Sequence, residues 1–157
     1  MQVHYFDAEP EYLENALLAC MAAGLAVTCS DSLSLSGIYL RRGLADVLVV
    51  HKRSAGPSVD DLFRVAERHA PGLATVLLTD TVSWDLDRFS QLYPSLHAVL
   101  EDDVAPQVVA ALVQSLHHRF VGAFVAEQAP SPRRFVPGDP PVFHSRRDAV
   151  PLLSTAA

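Results

Sequence analysis

The chain has 157 residues, half of them hydrophobic, and a formal net charge of −6. That is enough for one domain with a well-filled core, or for one domain and a tail. No apolar run nears the roughly 20 residues of a membrane helix, and the acidic start MQVHYFDAEPEY lacks the basic-then-apolar order of a signal peptide, so a cytoplasmic protein is expected. Residues 1–118 hold 7 Arg or Lys against 15 Asp or Glu, and residues 119–157 hold 5 Arg against 3 acids. An acidic body argues against nucleic-acid binding by that body. Cys20 and Cys29 lack CxxC spacing; they make neither a disulfide framework nor a zinc site and are expected to be small buried hydrophobes. A single Lys, Asn and Ile among abundant Ala, Val, Leu, Arg, Asp and Pro point to a GC-rich bacterial genome.

In chain order, residues 2–6 (QVHYF) predict a short strand closed by Asp7. From Pro10, apolar residues at spacings of three and four (Tyr12, Leu13, Ala16, Leu17, Cys20, Met21) predict a helix that Gly24 ends. LAVTCSD is a second strand, and Ser32 to Arg42 a weaker helix stopped by Gly43. Residues 46–50, DVLVV, are the most strand-like stretch of all. Gly56-Pro57 turns the chain, and Ser58 is expected to cap a helix over Val59 to His69, with Asp60 and Asp61 suiting its first turn. ATVLLT (74–79) is a fourth strand, Leu86 to Leu92 a short helix, and LHAVL (96–100) a fifth strand. Asp103 or Ala105 leads into a last helix that begins at Pro106.

Strand and helix thus alternate five times, and the central strands are continuously apolar, as parallel strands covered on both faces must be. Right-handed crossovers then put helices on both sides. The expected fold class is α/β: a doubly wound five-stranded parallel sheet of the (βα)5 flavodoxin-like type, with sites at the carboxyl ends of the strands. Those ends offer Phe6-Asp7, Cys29 to Asp31, His51, Thr79-Asp80 and Glu101-Asp102-Asp103.

At this rim the sequence resembles the receiver domain of bacterial response regulators, over roughly residues 1–118. The resemblance rests on element order, on the spacing of the strand ends, and on AVLEDDVAPQ followed by ALVQSLHH. This last stretch is similar to receivers joined to LuxR-type DNA-binding domains. An active receiver moves a phosphoryl group from a histidine kinase to an aspartate at the end of the third strand. Two acids after the first strand join that aspartate in holding Mg2+, while a Ser or Thr on the fourth strand and a Lys on the fifth touch phosphoryl oxygens. The resemblance places Phe6 and Asp7, His51, Thr79 and Asp102 at these positions.

The departures outweigh the match. With Phe6 and His51 in place, two of three carboxylates for Mg2+ are missing, and a neutral imidazole is a poor ligand for so hard a cation. Asp102 reverses the charge where the lysine would stand, so nothing local is expected to compensate a phosphoryl group. The five residues read as a degenerate, vacant phosphorylation pocket. His51 is expected to pair with Asp7 or Asp102; His51, Asp7 and Asp102 or Asp103 make too thin a ligand set for a soft metal, and neither metal nor cofactor is expected.

Val108, Val109, Leu112, Val113, Leu116, Phe120, Val121, Phe124 and Val125 form one stripe at helical spacing. The expected organisation is a receiver-like domain (1–118), an extension of the last helix (119–128), and a tail or linker (129–157) holding two Arg-Arg pairs and more than half of the eleven prolines. Leu112, Leu116, Phe120 and Phe124 are candidates for a homodimer face. Receivers commonly dimerise through helix four, strand five and helix five, to which Trp84, Phe89 and Tyr93 could add, though buried packing is expected of all three.

Three functions of different classes fit. The favoured one is a phosphorylation-independent pseudo-receiver that signals by protein contacts or homodimerisation, with transcription as its output through a protein partner or fused DNA-binding domain. The second is a sensor that takes a small-molecule ligand into the pocket of Asp7, His51, Thr79 and Asp102. The third, an enzyme with His51 as base, lacks a Ser-His-Asp order, a nucleophile elbow or a Gly-rich phosphate loop, and no enzyme is expected.

Overall fold

VLVVH and ATVLLT, the two most apolar stretches, lie at the centre of the molecule, and every residue of both is buried. The computed structural model describes residues 1–116. Five parallel strands, β1 (Gln2–Phe6), β2 (Ala26–Ser30), β3 (Val47–His51), β4 (Ala74–Thr79) and β5 (Leu96–Glu101), form one sheet in the order β2-β1-β3-β4-β5. The helices are α1 (Pro10–Ala22), α2 (Leu33–Arg41), a single turn α3 (Lys52–Ala55), α4 (Val59–His69), α5 (Val82–Leu92) and α6 over 106–116. The doubly wound fold expected from the sequence is the one observed.

The alternation of side chains along each strand sorts the core into two layers. Val3, Tyr5, Val47, Val49, Val76 and Leu78 face α1 and α6, where Ala16, Cys20, Val109 and Val113 cover them. Phe6, Leu48, Val50 and Leu77 face α2, α4 and α5, meeting Leu40, Phe63 and Phe89. Register is fixed by pairings such as Phe6 with Val50 and His51 with Leu78. Gly24 and Gly43, at φ 72° and 62°, turn the chain after α1 and α2 in the left-handed conformation that glycine adopts without strain.

Local chemistry departs from expectation in three places. Ser32 caps α2 by accepting from the Leu35 amide, but the Ser58 side chain caps nothing, because a 3-10 turn (Gly56–Ser58) already runs helical into α4. Helix α5 begins at Val82 and not at Leu86. Trp84, expected to be buried, is 70% exposed on its first turn; an outward tryptophan hides the apolar period there. Phe89 and Tyr93 do pack inward, with Phe63, at ring separations of 5.1 to 5.8 Å.

The dimer candidates also divide. Leu116 is buried in the chain's own core and Leu112 is half-buried against it, since the stripe on α6 is used to cover the sheet. Leu116 thus keeps little surface, whereas Leu112 stays partly exposed. Phe120, Phe124, the 119–128 extension and the 129–157 tail lie outside the described residues. Cys20 is buried as expected, whereas Cys29 is partly exposed.

Candidate functional site

The carboxyl ends of the strands carry a band of buried polar groups, and strand alternation splits it in two. His51 follows Val47 and Val49 and so faces α1. There its ring meets Tyr12 edge-on, with centroids 5.4 Å apart. Thr79 follows Leu77 and so faces α5, donating its hydroxyl to Asp85 at 2.5 Å. The structure therefore does not bring His51 and Thr79 together in a common pocket.

On the α1 side, His51 is fully buried, and its Nε2 lies 3.2 Å from the backbone carbonyl of Asp102. A carbonyl only accepts, so Nε2 carries the hydrogen. The expected pairing with an Asp side chain is replaced by this backbone contact. Asp7, also fully buried, accepts from the Ser54 hydroxyl at 2.5 Å and the Glu9 amide at 3.0 Å through Oδ1. Asp7 Oδ2, His51 Nδ1 and the Tyr5 hydroxyl are buried without a hydrogen-bond partner among the described residues. Burial above all, then Tyr12 and Asp7 nearby, raises the Tyr5 phenol far above its ordinary pKa. Phe6 contributes no polar atom; it is 1% exposed within the layer under α2, α4 and α5.

On the α5 side stands a group that the sequence did not reveal. Asp85, fully buried, accepts from Lys52 Nζ at 2.8 Å on Oδ1 and 2.7 Å on Oδ2. Thr79 and Thr81 both donate to its Oδ2. Burial alone would push the carboxyl up, but the hydrogen bonds from Lys52, Thr79 and Thr81 and the charge of Lys52 outweigh it and hold the pKa below the ordinary value. The expectation that no cation remains near this rim fails: Lys52 is there, already paired. Two signals pointed to it, a sole lysine directly after a buried strand and the spacing TDTVSWD, which sets Thr81 and Asp85 four apart across a helix start.

Asp102 is partly exposed beyond β5. Its Oδ2 is 3.9 Å from Arg53 Nη1, and Arg53 Nη2 is 2.9 Å from Glu9 Oε2. Being largely solvated, each such pair contributes about 0–1 kcal/mol. The place read as a vacant pocket is filled by the chain itself, with Asp7 and His51 at 0% and Thr79 at 1% exposure. Among the described residues no three His, Cys, Asp or Glu side chains are grouped to hold a metal ion, and no helix is long and apolar enough to cross a membrane.

No protein-family model matches the chain, and no curated protein matches it. Solved structures do. A CheY-like response regulator receiver domain protein from Methanospirillum hungatei is similar with a TM-score of 0.64 at 13% identity, over 80% of this chain and 97% of its own. A response regulator from Thermotoga maritima gives 0.62 at 17%, over 73% and 95%. The pilus assembly protein CpaE from Caulobacter crescentus gives 0.56 at 18%, over 73% and 92%. At such identities the likeness is one of architecture: the chain has the five-stranded parallel fold of CheY-like receiver domains.

Proposed function

We propose that the chain is a signalling module of receiver fold that works without phosphoryl transfer, through contacts with other proteins and through homodimerisation. One observation carries this: the third strand ends on a fully buried His51 whose ring is held by Tyr12 and by the Asp102 carbonyl. An acceptor carboxylate has no counterpart there, and the partners for a hard cation are reduced to Asp7. Thr79, the residue given a phosphoryl-contacting role by the resemblance, is already committed to Asp85. Transcription is the proposed output, reached through a protein partner or a fused DNA-binding domain. Solved pilus assembly proteins of the same fold make a protein assembly a second outlet for the same kind of contact. A small-molecule ligand at Asp7, His51, Thr79 and Asp102 is disfavoured, because it would have to displace Tyr12 and Ser54.

The proposed dimer uses the face of α5, β5 and α6. With Leu112 and Leu116 engaged internally, the large apolar side chains exposed on these elements are Trp84, Leu86, Leu92 and Val108. The central test is incubation with acetyl phosphate and Mg2+ followed by intact-mass measurement. An unchanged mass is expected; a stable phosphoryl adduct sinks the proposal.

A further inference from the structure

A fully buried carboxylate normally costs stability unless donors surround it. Asp85 has its donors, and they come from three other places in the fold. Lys52 leaves the end of β3, Thr79 closes β4, and Thr81 precedes α5, while Asp85 itself reaches in from the first turn of α5. The donors also meet one another. Lys52 Nζ lies 3.1 Å from Thr81 Oγ1, and Thr79 Oγ1 lies 3.2 Å from Thr81 Oγ1. A cation and two hydroxyls therefore converge on one spot, and all three donate to the oxygens of a single carboxylate.

Such a cluster is what a small oxyanion needs: charge-assisted donors that arrive from different directions. The side chain of Lys52 is 27% exposed, so the cluster opens to solvent on that side, whereas Asp85 is 0% exposed. We propose that Lys52, Thr79 and Thr81 form an oxyanion site that the chain keeps filled with its own Asp85, an internal plug that bars external carboxylate or phosphate groups. In the same act the plug fastens the start of α5 to the ends of β3 and β4. This rests on the proposed phosphorylation-independent role, in which Thr79 never meets a phosphoryl group.

The chain supplies its own reporters. Lys52 is the sole lysine, so lysine labelling gives one ε resonance, and the sole tryptophan, Trp84, adjoins Asp85 and is exposed. The test is Asp85→Ala in the full chain, titrated with formate, the size of the group removed, against chloride at equal ionic strength. Formate should shift the Lys52 resonance and Trp84 emission saturably in the variant, chloride should not, and the wild type should stay silent. Adding Thr79→Val to Asp85→Ala should weaken the apparent affinity roughly tenfold, by one hydrogen bond to a charged group. If Asp85→Ala does not fold in chloride, formate should restore its circular dichroism and the lysine resonance. A response equal to that of chloride, a failure of formate to restore folding, or a wild type that binds as tightly as the variant overturns the plug. A phosphoryl adduct on the wild type would instead sink the functional proposal and leave the formate result standing.

Discussion

His4 shows how a single buried ring ties this fold to pH. Its Nε2 lies 2.8 Å from Ser36 Oγ, its ring stacks on Tyr39 at 4.9 Å, and its Nδ1 has no hydrogen-bond partner among the described residues. Burial lowers its pKa from 6.5 to about 4. The unfolded chain therefore takes up the proton first as pH falls. The stability that neutral His4 contributes is fully present above about pH 6.5 and is lost progressively towards pH 4. Between pH 7 and pH 5 the loss should be on the order of 2 kcal/mol. Urea unfolding of the wild type and of His4→Phe at both pH values checks this: the difference between them should shrink by that amount at pH 5, and a constant difference refutes it. At this scale, much of the rim was legible. Strand ends and spacing located Phe6, Asp7, His51, Thr79 and Asp102, but treating the ends as one cluster ignored the faces. Alternation alone sets His51 with Val47 and Val49, and Thr79 with Leu77, on opposite sides of the sheet. Lys52 and Asp85 stand 33 residues apart, so the spacing that sets Thr81 near Asp85 does not reach the lysine.

Among the elements, α5 is where sequence and structure differ most. Its inner face is strongly apolar only at Phe89, which is 0% exposed and meets Phe63 at 5.5 Å edge-on and Tyr93 at 5.8 Å stacked. Tyr93 closes the group by donating to Asp60 Oδ1 at 2.8 Å. One aromatic thus anchors the helix to the α4 side of the sheet, while Lys52 and the two threonines anchor its start. Phe89→Ala removes the first anchor and leaves a cavity, which should cost about 3–5 kcal/mol. Equilibrium denaturation checks it, and a cost below about 1 kcal/mol would show that α5 is held by its first turn alone. The strands were legible throughout, because a parallel sheet covered on both faces demands unbroken apolar runs. The start of α5 and the single turn α3 were not. The former presents Trp84 outward, and the latter is too short to show any period.

At the scale of the whole molecule, two apolar layers leave few large hydrophobes at the surface of α5, β5 and α6. Trp84, at 70% exposure, is the largest of them. If a second copy docks there, tryptophan is the kind of side chain that carries such an interface. Light scattering of the full chain should give a dimer mass, and Trp84→Arg should move it to the monomer without altering the fold. A monomeric wild type, or an unaffected variant, rejects this face. The architecture was readable because element order, apolar runs and turn residues all agree. The partner of the exposed face was not, since an interface leaves no period in a single chain.

Strands β3 and β4 are buried along their whole length, while β2 and β5 border solvent. Each amide of β3 and β4 points to one neighbouring strand or the other, and those on the seam between β3 and β4 stay bonded when a border strand loosens. The protons on those nitrogens trade with water only when the whole molecule comes apart. The seam between β3 and β4 is thus a clock for global opening.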